Sequence, residues 1–238
     1  MKLIRPDWSP GIDVGAFSTT RHGGVSRGRL AGLNLGVRNG DDAACVAENR
    51  ARLRRFLPAD PCWLDQVHGC RVIHLDEWHE GVVADAAWSD RPGQVAVVQT
   101  ADCLPILLVR RGRPAVAAIH AGWRGLAAGI IAETLAAMSG AGDLPIAWIG
   151  PSVCARCYQV GGEVREAFVA VDEEFDRHFQ ADGDRWRADL KAIAAAQLSW
   201  LGAEVHDCGR CTMCEPRNFY SFRRDGPTGN LASLIWLE

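Results

Sequence analysis

Three apolar pieces lie almost back to back in this chain: Gln94–Gln99, Leu104–Arg110 and Ala115–Ile119. Short apolar runs bounded by turn residues read as buried strands, so the fold has to be built around them. A polar group set at the end of a buried strand costs free energy unless it finds a partner. Two such groups bracket the second and third pieces. Cys103 sits in Thr100-Ala101-Asp102-Cys103-Leu104-Pro105, and His120 in Ile119-His120-Ala121-Gly122-Trp123-Arg124-Gly125. A third tight turn, Gln66-Val67-His68-Gly69, carries His68. One Cys and two His brought together suit zinc, and three protein ligands leave a fourth position for water or substrate.

The remaining pattern mixes helices and strands. Residues 14–40 are rich in Gly, Arg, Asn and Thr and read as irregular backbone, with a turn at Arg21-His22-Gly23-Gly24. Asp41 or Asp42 can cap a helix running through Glu48 to Phe56, with Val46, Leu53 and Phe56 on one face. Ala115–Ile119 leads through a Gly turn into a helix expected over Trp123–Met138. Its N-terminus, with Arg124, offers an anion site beside His120. Ile146–Ile149 reads as a strand ending at Gly150-Pro151, Gly162–Phe179 and Arg187–Leu201 as helices, Cys208–Ser221 as a Cys-rich loop and Leu231–Leu237 as a last strand. Without strict strand-helix alternation, the class is α+β with a mixed sheet. There is no repeat and no linker, so residues 1–238 read as one domain.

Of the 238 residues, 48% are hydrophobic and 23% charged, an ordinary globular balance. A net charge of -3 gives no electrostatic reason to expect nucleic acid or a membrane surface as partner. No apolar run reaches the roughly 20 residues a membrane span needs. The opening Met1-Lys2-Leu3-Ile4-Arg5-Pro6-Asp7-Trp8 lacks the apolar core of a signal peptide. Nine Cys without a secretion signal read as reduced thiols in a cytoplasmic protein. Monomer is the default oligomeric state.

Each candidate site has a plainer reading. Cys103 can be a small buried hydrophobe, or a nucleophile with His120 as its base, which leaves His68 without a role. Cys154-Ala155-Arg156-Cys157 and Cys208-Gly209-Arg210-Cys211-Thr212-Met213-Cys214 can form two knuckles of a structural zinc. Their wide separation equally fits unrelated buried thiols, and no thioredoxin-like pattern surrounds the first pair. Arg21, Arg124, Arg223 and Arg224 lie in or near Gly-rich loops and suit phosphate or carboxylate, or simply a solvated surface. Asp85 and Asp102 can orient ligand histidines or carry protons, or stabilise turns.

In order along the chain, these motifs resemble the bacterial YfiH-type family, long labelled multicopper polyphenol oxidase or laccase domain. The resemblance covers nearly the whole chain. It runs from Phe17-Ser18-Thr19-Thr20-Arg21-His22-Gly23-Gly24-Val25-Ser26 and Leu33-Asn34-Leu35-Gly36, through Gln66-Val67-His68-Gly69, Ala84-Asp85-Ala86 and the Cys103 and His120 motifs. It continues through Ile149-Gly150-Pro151, Cys157-Tyr158-Gln159-Val160-Gly161, Asp189-Leu190 and Cys211-Thr212 to Phe219-Tyr220-Ser221-Phe222-Arg223-Arg224. It implies a layered α+β sandwich of mixed sheets flanked by helices, shared with bacterial toxins that are cysteine-dependent glutamine deamidases. It implies that His68, Cys103 and His120 hold a metal, zinc before copper. It implies phosphorolysis of adenosine, inosine and methylthioadenosine, and deamination of adenosine; family members are also credited with editing peptidoglycan precursors. It assigns no role to Cys154, Cys208 or Cys214.

On that reading Asp102 or Asp85 carries a proton in deamination. Arg21, Arg124, Trp123 and Arg223 bind substrate and phosphate, and Tyr158 or His22 assists the leaving base. The alternative is a cysteine amidase acting on peptidoglycan precursors, with Cys103 as nucleophile and His120 as base. The oxidase label fits poorly. Laccase chemistry needs many imidazoles in His-x-His pairs, and this chain has seven His and no His-x-His. Of its three Met, neither Met138 nor Met213 is placed by the pattern as an axial copper ligand.

Overall fold

The computed structural model describes residues 1–138 and 144–238. Two sheets stack face to face, and helices cover their outer faces, giving a four-layered α+β sandwich. The first sheet runs Leu3–Ile4, Val14–Thr19, Leu231–Leu237, Val95–Thr100, Pro61–Cys62. The second runs Glu204–Asp207, Ile146–Ile149, Leu104–Arg110, Ala115–Ala121, Ala86–Ser89, Val72–His74. Both are mixed. The second sheet is antiparallel in its middle, with a parallel pairing at each edge. A small third sheet pairs Gln159–Val160, Arg185–Ala188 and Phe179–Asp182. No helix is long and apolar enough to cross a membrane among the described residues.

The layering explains why the central strands are apolar without alternation. Side chains point to opposite faces at every step. The strand Val95–Thr100 shows this in the first sheet: Ala96 and Val98 meet the inter-sheet core, while Val95 and Val97 pack outward against Leu33, Leu35 and Leu53. In the second sheet Leu107, Val109, Val116 and Ala118 face the inter-sheet core. Ile106, Leu108, Ala117 and Ile119 face the helices, among them Ile130, Ile131, Leu135, Ile193 and Leu198. Both faces are dry, so neither needs a polar side chain.

Several expectations are corrected. Val14–Thr19, within the stretch read as irregular, is a strand inside the first sheet, paired antiparallel with Leu231–Leu237. The helix expected to Phe56 spans Ala43–Arg54, capped by Asp42, whose carboxylate accepts from the Ala44 amide at 2.8 Å. Phe56 lies beyond it and is exposed. The helix expected over Trp123–Met138 is two, Trp123–Ala127 and Ile130–Ala137, broken at Gly129, whose φ of 87° no helix accommodates. The helix from Gly162 stops at Val169. Asp172 then caps a 3₁₀ segment, Glu173–His178, and Phe179 begins a hairpin strand. Arg187 belongs to the returning strand; the following helix is Leu190–Trp200, capped by Asp189.

One buried polar residue ties the irregular segment to the fold. Asn49, on the inner face of the first helix between Val46 and Leu53, accepts from the Val25 amide at 2.8 Å. Its Nδ2 donates to Ser26 Oγ, Asn34 O and Gly32 O. Removing it strands several buried groups, each costing about 1–3 kcal/mol. Asn49→Ala is therefore expected to lower the unfolding free energy by about 2–4 kcal/mol in urea titrations. A change within about 0.5 kcal/mol, as for an ordinary surface substitution, would remove this role.

Candidate metal centre

The three strand-end turns converge at one rim of the sandwich. The Thr100–Cys103 turn is where the chain crosses from the first sheet into the second, since Val95–Thr100 and Leu104–Arg110 belong to different sheets. His120 ends the neighbouring strand and is 3% exposed. Strand alternation sets its ring on the same face as Val116 and Ala118, the inter-sheet side. The ligand atoms of His68, Cys103 and His120 all lie within 4.8 Å of one another. Cys103 Sγ is 3.7 Å from His68 Nε2, and the two imidazoles meet edge to face at 4.7 Å between centroids. Zinc with bonds of ~2.3 Å to sulfur and ~2.0 Å to nitrogen separates such ligands by roughly 3.5 Å, so the trio fits a metal.

Asp85 ties the two histidines of the trio together. It is fully buried, and its Oδ1 lies 2.7 Å from His120 Nδ1, which leaves Nε2 of that ring for a ligand position. The same carboxylate accepts from the backbone amides of Val67, His68 and Gly69. One side chain thus orients one histidine and clasps the loop of the other. Burial alone raises the Asp85 pKa, but bonding to and charge on His120, with the loop amides, bring it below the usual carboxylate value.

Among the described residues only His68 and Asp102 have positive φ without being glycine, at 62° and 93°. Both stand in the site, where strain of this kind gathers. Asp102 is held by three donors: Thr212 Oγ1 at 2.6 Å, Ser221 Oγ at 3.0 Å and the Arg223 amide at 2.6 Å. Glycines supply the remaining room. A Cβ on Gly122 would come within 2.7 Å of His68 Cδ2, and one on Gly125 within 2.5 Å of the Gly69 carbonyl oxygen.

In the trio by itself the proton moves from sulfur to nitrogen. Burial would raise the Cys103 pKa, yet the charge and hydrogen bonds of His120, then His68, pull it down to about 6. Burial would lower the His120 pKa, yet Cys103 and Asp85 lift it to about 9.

The trio floors a cleft of about 580 Å³. Of the residues singled out in the sequence, Trp123, Arg124, Tyr158, Asp102 and Arg223 line it. The Tyr158 hydroxyl is pushed up to about 12, first by burial. Arg223 stacks over the Tyr158 ring at 4.9 Å and donates to the Gln159 carbonyl. Arg124 lies 4.4 Å over Trp123, and its guanidinium has no hydrogen bond among the described residues. Its helix is only five residues long, so the positive charge at this end is the guanidinium rather than a helix dipole. Arg21 and His22 do not reach the cleft. Arg21 donates to the carbonyls of Ala31 and Pro216 and stacks on Tyr220, while His22 pairs with Asn218 on the surface. Arg224 is likewise engaged, with the Thr212, Met213 and Phe219 carbonyls and Asp225.

Sequence reasoning missed other lining residues. Thr100 and Thr228 are 2% and 5% exposed, and their hydroxyls have no hydrogen-bond partner among the described residues. Arg38, paired with Asp65, and Phe222, 60% exposed, also line the cleft. Only the unusual Phe222-Arg223-Arg224 run hinted at that wall. Met138 is buried in the helix-side core, away from any ligand role. Among the described residues the only other group able to hold an ion is four cysteines, so no second imidazole cluster exists for laccase-type copper.

The family model described as multi-copper polyphenol oxidoreductase laccase matches residues 15–238. A relative from Escherichia coli named purine nucleoside phosphorylase YfiH is 46% identical, aligned over 99% of each chain. A purine nucleoside phosphorylase from Pseudomonas aeruginosa is 44% identical over 99% of this chain and 98% of its own. The crystal structure of a Neisseria meningitidis protein superposes with a TM-score of 0.94 at 39% identity, covering 100% of both chains. That of Bacillus licheniformis YfiH, described as hypothetical, superposes at 0.87 and 28% identity, covering 94% of this chain and 93% of its own.

Asp85→Ala is expected to weaken metal binding on the order of 10–100-fold in chelator competition, because His120 loses its orienting partner. Asp85's depressed pKa also has a sign for stability. Its contribution is present above the unfolded carboxylate value of about 4 and is lost as pH falls through the lower folded value. Unchanged affinity in the variant would remove the orienting role.

Proposed function

Because the chain belongs to the family described as multi-copper polyphenol oxidoreductase laccase, with relatives named purine nucleoside phosphorylases, we propose that it is a zinc-dependent enzyme of that kind. Its substrates are adenosine, inosine and methylthioadenosine with phosphate, and adenosine deamination is a second activity of the same cleft. The observation that carries the reading is the trio His68, Cys103 and His120 on the floor of a nucleoside-sized cleft with arginines in its wall. We place the protein in the cytoplasm, as a monomeric single domain.

When bound, the ion supplies a Lewis acid with an open position. In phosphorolysis a phosphate oxygen bonds to C1′ of the ribose, the C1′–N bond breaks, and its electron pair leaves with the base. Arg124, whose guanidinium has no hydrogen bond among the described residues, and Arg223 offer charge to the phosphate. Trp123 and Phe222 give apolar surface to the purine. Tyr158 keeps its proton at neutral pH and serves as a hydrogen-bond donor to the departing base. The buried hydroxyls of Thr100 and Thr228 supply two further unpaired groups for the ribose hydroxyls. For deamination a carboxylate has to move the proton, and we assign that step to Asp102, which lines the cleft next to Cys103. Asp85 already accepts four bonds, from His120 and the amides of Val67, His68 and Gly69.

His68→Ala is expected to abolish release of adenine and ribose 1-phosphate from adenosine and phosphate, while the protein stays folded. Tyr158→Phe is expected to lower kcat on the order of 10²-fold with its metal retained. Full phosphorolysis by His68→Ala would sink the reading.

One observation favours a second reading, a cysteine amidase. Asp85, His120 and Cys103 form an acid-base-nucleophile series, with the thiol poised at about 6. Iodoacetamide labelling of chelator-treated protein is expected to reach half its full rate at Cys103 near pH 6. The two readings part on activity: chelation ends phosphorolysis under the first and spares catalysis under the second.

A further inference from the structure

Far apart in sequence, Cys154, Cys157, Cys211 and Cys214 come together, with all four Sγ atoms within 4.8 Å of one another. We propose that they form a second metal centre, a four-thiolate zinc site that clamps the cleft wall and has no part in catalysis.

Each pair is a C-x-x-C in a tight turn. Ala155–Cys157 is a single 3₁₀ turn in which the Cys157 amide bonds the Cys154 carbonyl at 2.9 Å. In the other, the Glu215 amide reaches back to the Cys211 carbonyl at 3.2 Å. Such turns set both sulfurs of a pair on one side. The turns are joined by backbone as well: Ser152 and Cys211 form a parallel bridge, with the Thr212 amide on the Ser152 carbonyl. The Cys154 amide donates to Cys211 Sγ at 3.3 Å, the kind of bond that supports a thiolate ligand.

The spacing suits a metal better than disulfides. Zinc at ~2.3 Å from four sulfurs makes a tetrahedron with edges of roughly 3.8 Å. Cys157 and Cys214 are 3.3 Å apart, well beyond the ~2.05 Å of a disulfide. Two disulfides would also pair the sulfurs and leave the four-way convergence without a cause. Four sulfurs and no nitrogen or oxygen select zinc or iron, and zinc needs no redox partner. Cys208, part of the same Cys-rich run, packs against the inter-sheet core instead. Binding would release the thiol protons to solvent.

The clamp joins parts of the catalytic wall. Cys157 precedes Tyr158. Thr212, between the two ligands of the other turn, holds Asp102 beside Cys103.

Metal counted by mass spectrometry on freshly purified protein tests the proposal. Two zinc per chain are expected in the unaltered protein, one in His68→Ala and one in Cys157→Ser/Cys214→Ser. Should the double variant not fold, cobalt added to metal-free His68→Ala protein serves instead. Intense thiolate-to-cobalt charge-transfer bands support the site, and weak bands alone overturn it. Complete loss of zinc in His68→Ala, iron in place of the second zinc, or recovery of Cys157 and Cys214 as a disulfide would each overturn it too. Zinc retained in His68→Ala supports it even if the unaltered protein shows no phosphorolysis, so the two readings fail separately. In the double variant KM for the nucleoside is expected to rise more than kcat falls; that readout alone rests on the phosphorylase reading.

Discussion

Everything at the functional rim depends on the bond between Asp85 and His120. A carboxylate and an imidazole are both buried there, and neither is tolerable without the other. The pairing fixes which ring nitrogen is available. Through the amides of residues 67–69, it also fixes where the second histidine stands. A buried ionic pair adds little net stability compared with a well-packed apolar pair. Here its effect is geometric: it holds two of the three candidate ligand positions, His68 and His120, in one arrangement.

The surrounding chain accommodates that set at a cost. Two residues with side chains adopt left-handed backbone, and two glycines hold the space their neighbours need. Asp102 illustrates how such strain is held. Its turn switches the chain between sheets, and donors from Thr212, Ser221 and Arg223 lock its carboxylate. The carboxylate that reads in the sequence as a proton carrier also braces the cysteine next to it.

Legibility in the sequence followed the range of the interactions involved. The central strands could be read because burial on both faces leaves an apolar run, and the convergence of His68, Cys103 and His120 because polar residues in turns beside such runs stand out. The α+β class and the mixed sheets followed from the absence of regular alternation. What escaped depended on partners distant in the chain. Val14–Thr19 looked irregular because Gly15 is disfavoured in strands and the sequence after Thr20 is rich in Gly, Arg and Asn; pairing with Leu231–Leu237 decides the matter. A Cβ on Gly15 would overlap the Trp236 ring, so that glycine is the seat of an indole rather than a turn signal. The motif reads Arg21 as a phosphate-binding residue and His22 as an aid to the leaving base, yet contacts with Ala31, Pro216 and Asn218 engage them and neither lines the cleft. Thr100 and Thr228 carried no signal at all, since an unpaired hydroxyl is a property of its surroundings.

The place of Leu231–Leu237 in the first sheet has a consequence for how the molecule is made. That strand lies between Val14–Thr19 and Val95–Thr100, each of which hydrogen-bonds to it. During synthesis, the two flanking strands emerge long before the one that separates them. Until it arrives, each has an unsatisfied edge, and the inter-sheet layer lacks Ile235 and Leu237. A ribosome-bound intermediate therefore exposes open β-edges for most of its elongation, the condition under which chaperone capture competes with aggregation. The wall residues Thr228 and Asn230 arrive with the same late segment, so the cleft and the sheet become complete together.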